Sequence, residues 1–200
     1  MEKIICIFGD SITWGAWDLQ RGGWVARLRN YFETNNIEVI IYNCGVDGNS
    51  TNDLLQRFKV EATARKPHII IFAIGINDSL YINFKDNPYV PIEKFQNNLQ
   101  KLANQAKKIT NKIIFIGLIK VDESKTMPIP WDPIRFYDME NVSKYNSAIK
   151  NFCQKNKLLF IDVLNLLKNE DLEDGLHPNS NGHKKMFEKI KRFLIDTKIV

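Results

Sequence analysis

Five short apolar runs, each followed by an amphipathic stretch, set the limits on how this chain can fold. The runs are Lys3 to Phe8, Glu38 to Tyr42, His68 to Ile74, Lys112 to Ile119 and Leu158 to Ile161. Several are continuously apolar and rich in isoleucine and valine, the pattern of parallel strands covered on both faces. The amphipathic stretches are Gly23 to Thr34, Thr51 to Ala64, Ile92 to Ile109, Met139 to Asn156 and Ser180 to Asp196. In the third, Phe95, Leu99, Leu102 and Ala106 recur at helical spacing and share one face. Such alternation predicts an α/β protein: a three-layer α/β/α sandwich, flavodoxin-like, with a five-stranded parallel sheet and right-handed crossovers. The 200 residues suit a single domain over 1–200 with a sizeable core.

Composition narrows the functional classes. No apolar run approaches the roughly 20 residues of a bilayer span, so no stable membrane insertion is expected. The start, "MEKIICIFGDS", lacks the length and cleavage site of a secretory signal, which points to the cytoplasm. Cys6, Cys44 and Cys153 are odd in number and lie in apolar segments; they read as core thiols in a reducing compartment. The formal charge of +5 raises nucleic acid as a partner. The densest basic stretch, "HKKMFEKIKRF", alternates with apolar residues as the solvated face of a helix does, so no nucleic-acid partner is expected. Oligomeric state is not legible.

In open parallel sheets, ligands lie beyond the carboxyl ends of the strands. The loops there read "GDSITWG", "NCGVDGNST" and "GINDS", and "DGLHPNSNGH" precedes the last helix. The stretch 120–138, "KVDESKTMPIPWDPIRFYD", carries three prolines and reads as a long non-regular loop. A loop of that length is often a binding wall or lid. It would bring Met127, Trp131, Ile134 and Phe136 to the same sheet edge, where packing over a groove is the plainer role.

Ser11 has two readings: a residue that caps the helix after Gly9 and Asp10, or a nucleophile held at the edge of the sheet. A nucleophilic serine needs a base within reach, and the chain has three histidines. His68 begins a strand at the far end of the sheet and reads as structural. His183 lies in the start of the last helix and reads as a capping or surface group. His177, in "DGLHPN", is preceded by Asp174 three residues earlier; that carboxylate can fix its tautomer and stabilise the imidazolium. Acyl transfer also needs donors for an oxyanion. The Ser11 amide, the Gly48 amide and the Asn77 side chain are candidates, with a turn glycine and a local cap as the plainer readings of the last two.

Taken together, the four blocks resemble the SGNH hydrolases, the GDSL esterase and lipase family. The chain shows "GDS" at 9–11, "NCGVDGNST" at 43–51, "GIND" at 75–78 and "DGLH" at 174–177, in the family's order. Ile12 replaces the leucine of the family's name. The resemblance implies a serine hydrolase that cleaves carboxylic esters, or thioesters or sugar O-acetyl groups, through an acyl-enzyme. Ser11 would be the nucleophile, His177 the general base and then acid, and Asp174 its orienting carboxylate. Ser11, Gly48 and Asn77 would form the oxyanion hole. Gly45 competes with Gly48, which lies five residues after Asn43 as in the family's pattern. No metal or other cofactor is implied.

Two other functions compete. A non-catalytic flavodoxin-like module would hold a phosphate or nucleotide at the helix near Ser11, but leaves Asp174, His177 and Asn77 without a joint purpose. A metal held by Asp174, His177 and His183 has a thin ligand set. For the esterase, Trp14, Trp17 and Trp24, with Trp131 from the long loop, are candidates for an apolar wall around a small or medium acyl group. Aromatic residues that pack a helix onto the sheet look the same in sequence.

Overall fold

The computed structural model describes residues 2–200. Its strands are β1 (Lys3–Gly9), β2 (Val39–Gly45), β3 (Ile69–Ala73), β4 (Tyr81–Ile82), β5 (Ile113–Ile116), β6 (Arg135–Phe136) and β7 (Leu159–Ile161). Its helices are α1 (Ser11–Trp14), α2 (Gly23–Thr34), α3 (Thr51–Arg65), α4 (Ile92–Ala106), α5 (Glu123–Thr126), α6 (Met139–Asn156) and α7 (Ser180–Asp196). Five strands form a parallel sheet in the order β2-β1-β3-β5-β7. α2 packs with α7, while α3, α4 and α6 pack in succession on one another. This is the expected α/β/α sandwich. Its strand order reverses direction between β1 and β3, which opens a crevice beyond their carboxyl ends.

The sheet is held from both faces because its central strands are apolar throughout. Phe8, Phe72 and Phe115 sit in register on β1, β3 and β5. Phe58 of α3 meets Phe8 edge-on at 4.9 Å, and Phe72 lies 4.9 Å from Phe115. All four rings are buried, and truncating any one would cost about 3–5 kcal/mol.

The elements differ from expectation mainly at their ends. β2 runs on to Gly45, so the second glycine-bearing loop starts inside the sheet. β5 stops at Ile116 instead of Ile119, because the chain leaves the ladder where Asn146 of α6 accepts the N–H of Leu118 at 2.9 Å. The 120–138 stretch is not wholly irregular. Asp122 caps α5 by accepting from Ser124 N–H at 3.2 Å, and β6 pairs antiparallel with β4. A two-residue strand leaves no periodicity to read.

Two glycines let α1 fold back against the strand ends. A Cβ on Gly9 would lie 2.4 Å from the Ala73 carbonyl oxygen, and one on Gly45 would lie 2.3 Å from the Trp14 nitrogen. Gly48 differs: a Cβ there meets nothing, but its φ of +69° favours glycine. Gly45→Ala should therefore cost at least about 3 kcal/mol in urea unfolding, and Gly48→Ala about 1 kcal/mol. Equal losses would contradict this packing.

Candidate active site

The turn after β1 decides between the two readings of Ser11. Asp10, not Ser11, caps α1: its carboxylate accepts the Ile12 N–H at 3.0 Å. The Ser11 hydroxyl is thus free of capping, and it lies 2.9 Å from Nε2 of His177. His177 comes from the loop before α7, which is closed by Glu173 N–H donating to the His177 carbonyl at 2.9 Å. His177 Nδ1 lies 2.7 Å from Oδ2 of Asp174. A carboxylate only accepts, so Nδ1 carries the proton and Nε2 presents its lone pair to the serine.

Asp174 is saturated with donors. Oδ1 accepts the backbone N–H of Leu176 at 2.9 Å and of His177 at 2.8 Å. Oδ2 accepts His177 Nδ1 and also the indole N–H of Trp17 at 2.6 Å. Burial raises the Asp174 carboxyl, but the hydrogen bonds and charge of His177 and the N–H of Leu176 outweigh it and hold it at about 2. Asp10 goes the other way. Burial pushes it up to about 7, against the Ile12 N–H and the nearby His177.

The loops after β2 and β3 meet beside the serine turn. The Gly45 N–H is used internally, donating to Asn43 Oδ1 at 2.9 Å. Among the described residues, the Gly48 N–H donates to no protein acceptor. Asn77 opens a 3-10 turn, Asn77–Ser79. Its NH2 donates to the Asn49 carbonyl at 3.0 Å, and its Oδ1 accepts from the Tyr137 hydroxyl at 2.7 Å. Asp78 accepts the Thr51 N–H at 2.9 Å and also the Thr51 hydroxyl; burial raises it to about 7. Arg57 of α3 donates to Asn49 Oδ1 at 2.7 Å and to the Gly9 carbonyl at 3.1 Å, tying the second loop to the first.

The geometry sorts the other candidates. The Trp131 ring lies 5.8 Å from the His177 ring, tilted 30°, and is half exposed. Trp14, at the end of α1, has its side chain exposed to solvent. Trp24 is not an exposed wall of the site: it is fully buried on α2, and its backbone N–H donates to His183 Nδ1 at 3.2 Å. His183 is likewise no surface or capping group. It is buried, and its Nε2 donates to the Ala16 carbonyl at 2.8 Å, so both ring nitrogens are engaged and it does not join Asp174 and His177 around a metal. His68 accepts the Ile4 N–H at 3.0 Å at the opposite end of the sheet, a structural contact. Trp17, a candidate for the apolar wall, instead engages Asp174 through its indole N–H; the contacts of Tyr137 and Arg57 leave no signal in the sequence.

The chain is similar to known proteins over most of its length. Residues 7–185 match the GDSL-like Lipase/Acylhydrolase family. The GDSL esterase/lipase WDL1 of Oryza sativa subsp. japonica is 24% identical over 206 residues, covering 96% of this chain and 78% of its own. An acetylxylan esterase of Geobacillus stearothermophilus is 25% identical over 204 residues, covering 91% of this chain and 89% of its own. Solved structures of that esterase reach a TM-score of 0.75 at 22% identity, covering 95% of this chain and 93% of theirs. They include catalytic mutants at a serine, an aspartate and a histidine three residues after that aspartate. A lipase/acylhydrolase from Enterococcus faecalis superposes with a TM-score of 0.79 at 23% identity, covering 96% of this chain and 95% of that one. The chain belongs to the GDSL-like lipase/acylhydrolase family and is a carboxylic ester hydrolase.

Proposed function

We propose that Ser11 is the nucleophile, His177 the general base and acid, and Asp174 the carboxylate that orients His177. The observation that carries this is the unbroken relay from Ser11 Oγ through the imidazole to Asp174. Ser11 Oγ attacks the ester carbonyl carbon while its proton passes to Nε2. The carbonyl oxygen becomes an oxyanion, met by the N–H groups of Ser11 and Gly48 and the NH2 of Asn77. Collapse breaks the bond to the alcohol, which leaves with the proton from Nε2. Water then attacks the acyl-enzyme, gives a proton to Nε2, and the acid departs as Ser11 recovers its hydrogen. The Gly48 amide is preferred to that of Gly45 because Gly45 already donates to Asn43.

The substrate in this reading is a short acyl ester, with acetyl groups on a carbohydrate as the natural class. One feature of the site supports it. Trp131 beside His177 offers an open aromatic face, which suits the C–H face of a pyranose. The acetylxylan esterase relative points the same way. The whole chain acts as one catalytic domain. Among the described residues no helix is long and apolar enough to cross a membrane. Three buried free thiols suit a reducing cytoplasm.

Ser11→Ala and His177→Ala should each lower kcat/KM for p-nitrophenyl acetate by at least about 10,000-fold with unchanged circular dichroism. A folded Ser11→Ala variant of full activity would end the reading. Because Asp174 is held near 2, it stays ionised across the working range. Asp174→Asn should lower kcat/KM at neutral pH about 10,000-fold; a variant within about tenfold of the parent would contradict the assignment of Asp174.

Trp131→Ala should raise KM about tenfold for an acetylated xylo-oligosaccharide but only about twofold for p-nitrophenyl acetate. Across p-nitrophenyl esters, activity should fall from acetate to palmitate. Equal KM changes would remove the sugar platform, and a maximum at palmitate would refute the small acyl site.

A further inference from the structure

We propose that Tyr137 is a positioning residue for the oxyanion hole, through a single hydrogen bond that fixes which way the Asn77 carboxamide points. The inference rests on the oxyanion role of Asn77 proposed above and extends it to a residue outside the four sequence blocks.

The orientation of a side-chain amide is settled by its partners. The Asn49 carbonyl can only accept, so the Asn77 nitrogen must face it, and it does so at 3.0 Å. The Asn77 oxygen then faces Tyr137, whose hydroxyl must donate, at 2.7 Å. With both ends of the amide held, one N–H is spent on Asn49 and the other remains for an oxyanion. Burial raises the Tyr137 phenol far above its usual range, so the hydroxyl remains a donor at any working pH.

The ring is held for this purpose by contacts that do not involve its oxygen. Tyr137 N–H donates to the Thr126 carbonyl at 2.9 Å, and the Thr126 hydroxyl donates to the Tyr137 carbonyl at 2.7 Å. The next residue, Asp138, caps α6 by accepting from Asn141 N–H at 2.7 Å. Among the described residues, Asn77 is the hydroxyl's one protein partner. Phenylalanine would fill the same core, so the oxygen is explained by Asn77 and by nothing else in its surroundings. Without it, Asn77 Oδ1 is buried with no donor and the carboxamide can swing away from the developing charge.

Kinetics of Tyr137→Phe, Asn77→Ala and the double variant on p-nitrophenyl acetate test this, with Ser11→Ala as the inactive reference. Tyr137→Phe should lower kcat about 10- to 30-fold and leave KM within about twofold. Asn77→Ala should lower kcat about 100-fold or more, and the double variant should match Asn77→Ala within about twofold. Full kcat in Tyr137→Phe, an effect on KM alone, or multiplied losses in the double variant would overturn the positioning role and leave the Asn77 role standing. Unchanged kcat in Asn77→Ala would overturn the oxyanion reading itself, and Tyr137's part with it. If Tyr137→Phe does not fold, 4-aminophenylalanine and 4-methylphenylalanine at position 137 keep the volume and differ in the donor. The amino variant should exceed the methyl variant about tenfold in kcat; equal values would overturn the proposal.

Discussion

One contact, 2.9 Å between Ser11 Oγ and His177 Nε2, sets the demands that the rest of the fold meets. The two residues are 166 positions apart, on a turn after a central strand and a loop before the last helix. Neither end can be left to wander if the imidazole is to take a proton. The serine turn is clamped by α1 folding back over Gly9 and Gly45, where any side chain would strike backbone. The histidine loop is fastened to the long 120–138 segment by Asp122 N–H donating to the Gly175 carbonyl at 2.8 Å. The first clamp is steric and the second a buried backbone hydrogen bond, which left unpaired would cost about 1–3 kcal/mol.

Three carboxyls in these loops, Asp10 and Asp78 buried and Asp174 half-buried, have different chemistry because their partners differ. Asp10 and Asp78 are desolvated with too few donors to compensate, and both rise to about 7. Asp174 has four donors, including the cation that His177 becomes during turnover, and is held near 2. It alone of the three remains a firm anion across the physiological range. In the proposed mechanism that charge stabilises the imidazolium formed when the serine proton is transferred. The indole of Trp17 shares Oδ2 with the imidazole and pins that oxygen from the solvent side.

Much of this was legible in the sequence because the relevant patterns are strong locally. Short, isoleucine-rich apolar runs such as Ile69–Ala73 read as strands covered on both faces, and Phe95 through Ala106 show a helix's period. Ser11, Asp174 and His177 each stand in a short polar block beside such an element, and they converge as the strand order requires. What escaped depends on contacts between distant segments. Trp24 in sequence looks like Trp14, yet helix α2 turns it into the core. His183 looks like a surface histidine but bridges two backbone groups from 0% exposure. Tyr137 sits in a proline-rich stretch with no periodicity, so only the fold reveals that its hydroxyl meets Asn77. That the Gly45 N–H is already engaged by Asn43 is likewise visible only in the fold.

The central claim is that Ser11 alone is activated, and that His177 activates it. Peptide mapping by mass spectrometry after treatment with a fluorophosphonate tests both halves at once. A single adduct on the peptide bearing Ser11, absent when His177→Ala is treated in the same way, is the predicted result. An adduct on another serine, or undiminished labelling of Ser11 without the imidazole, would contradict the account.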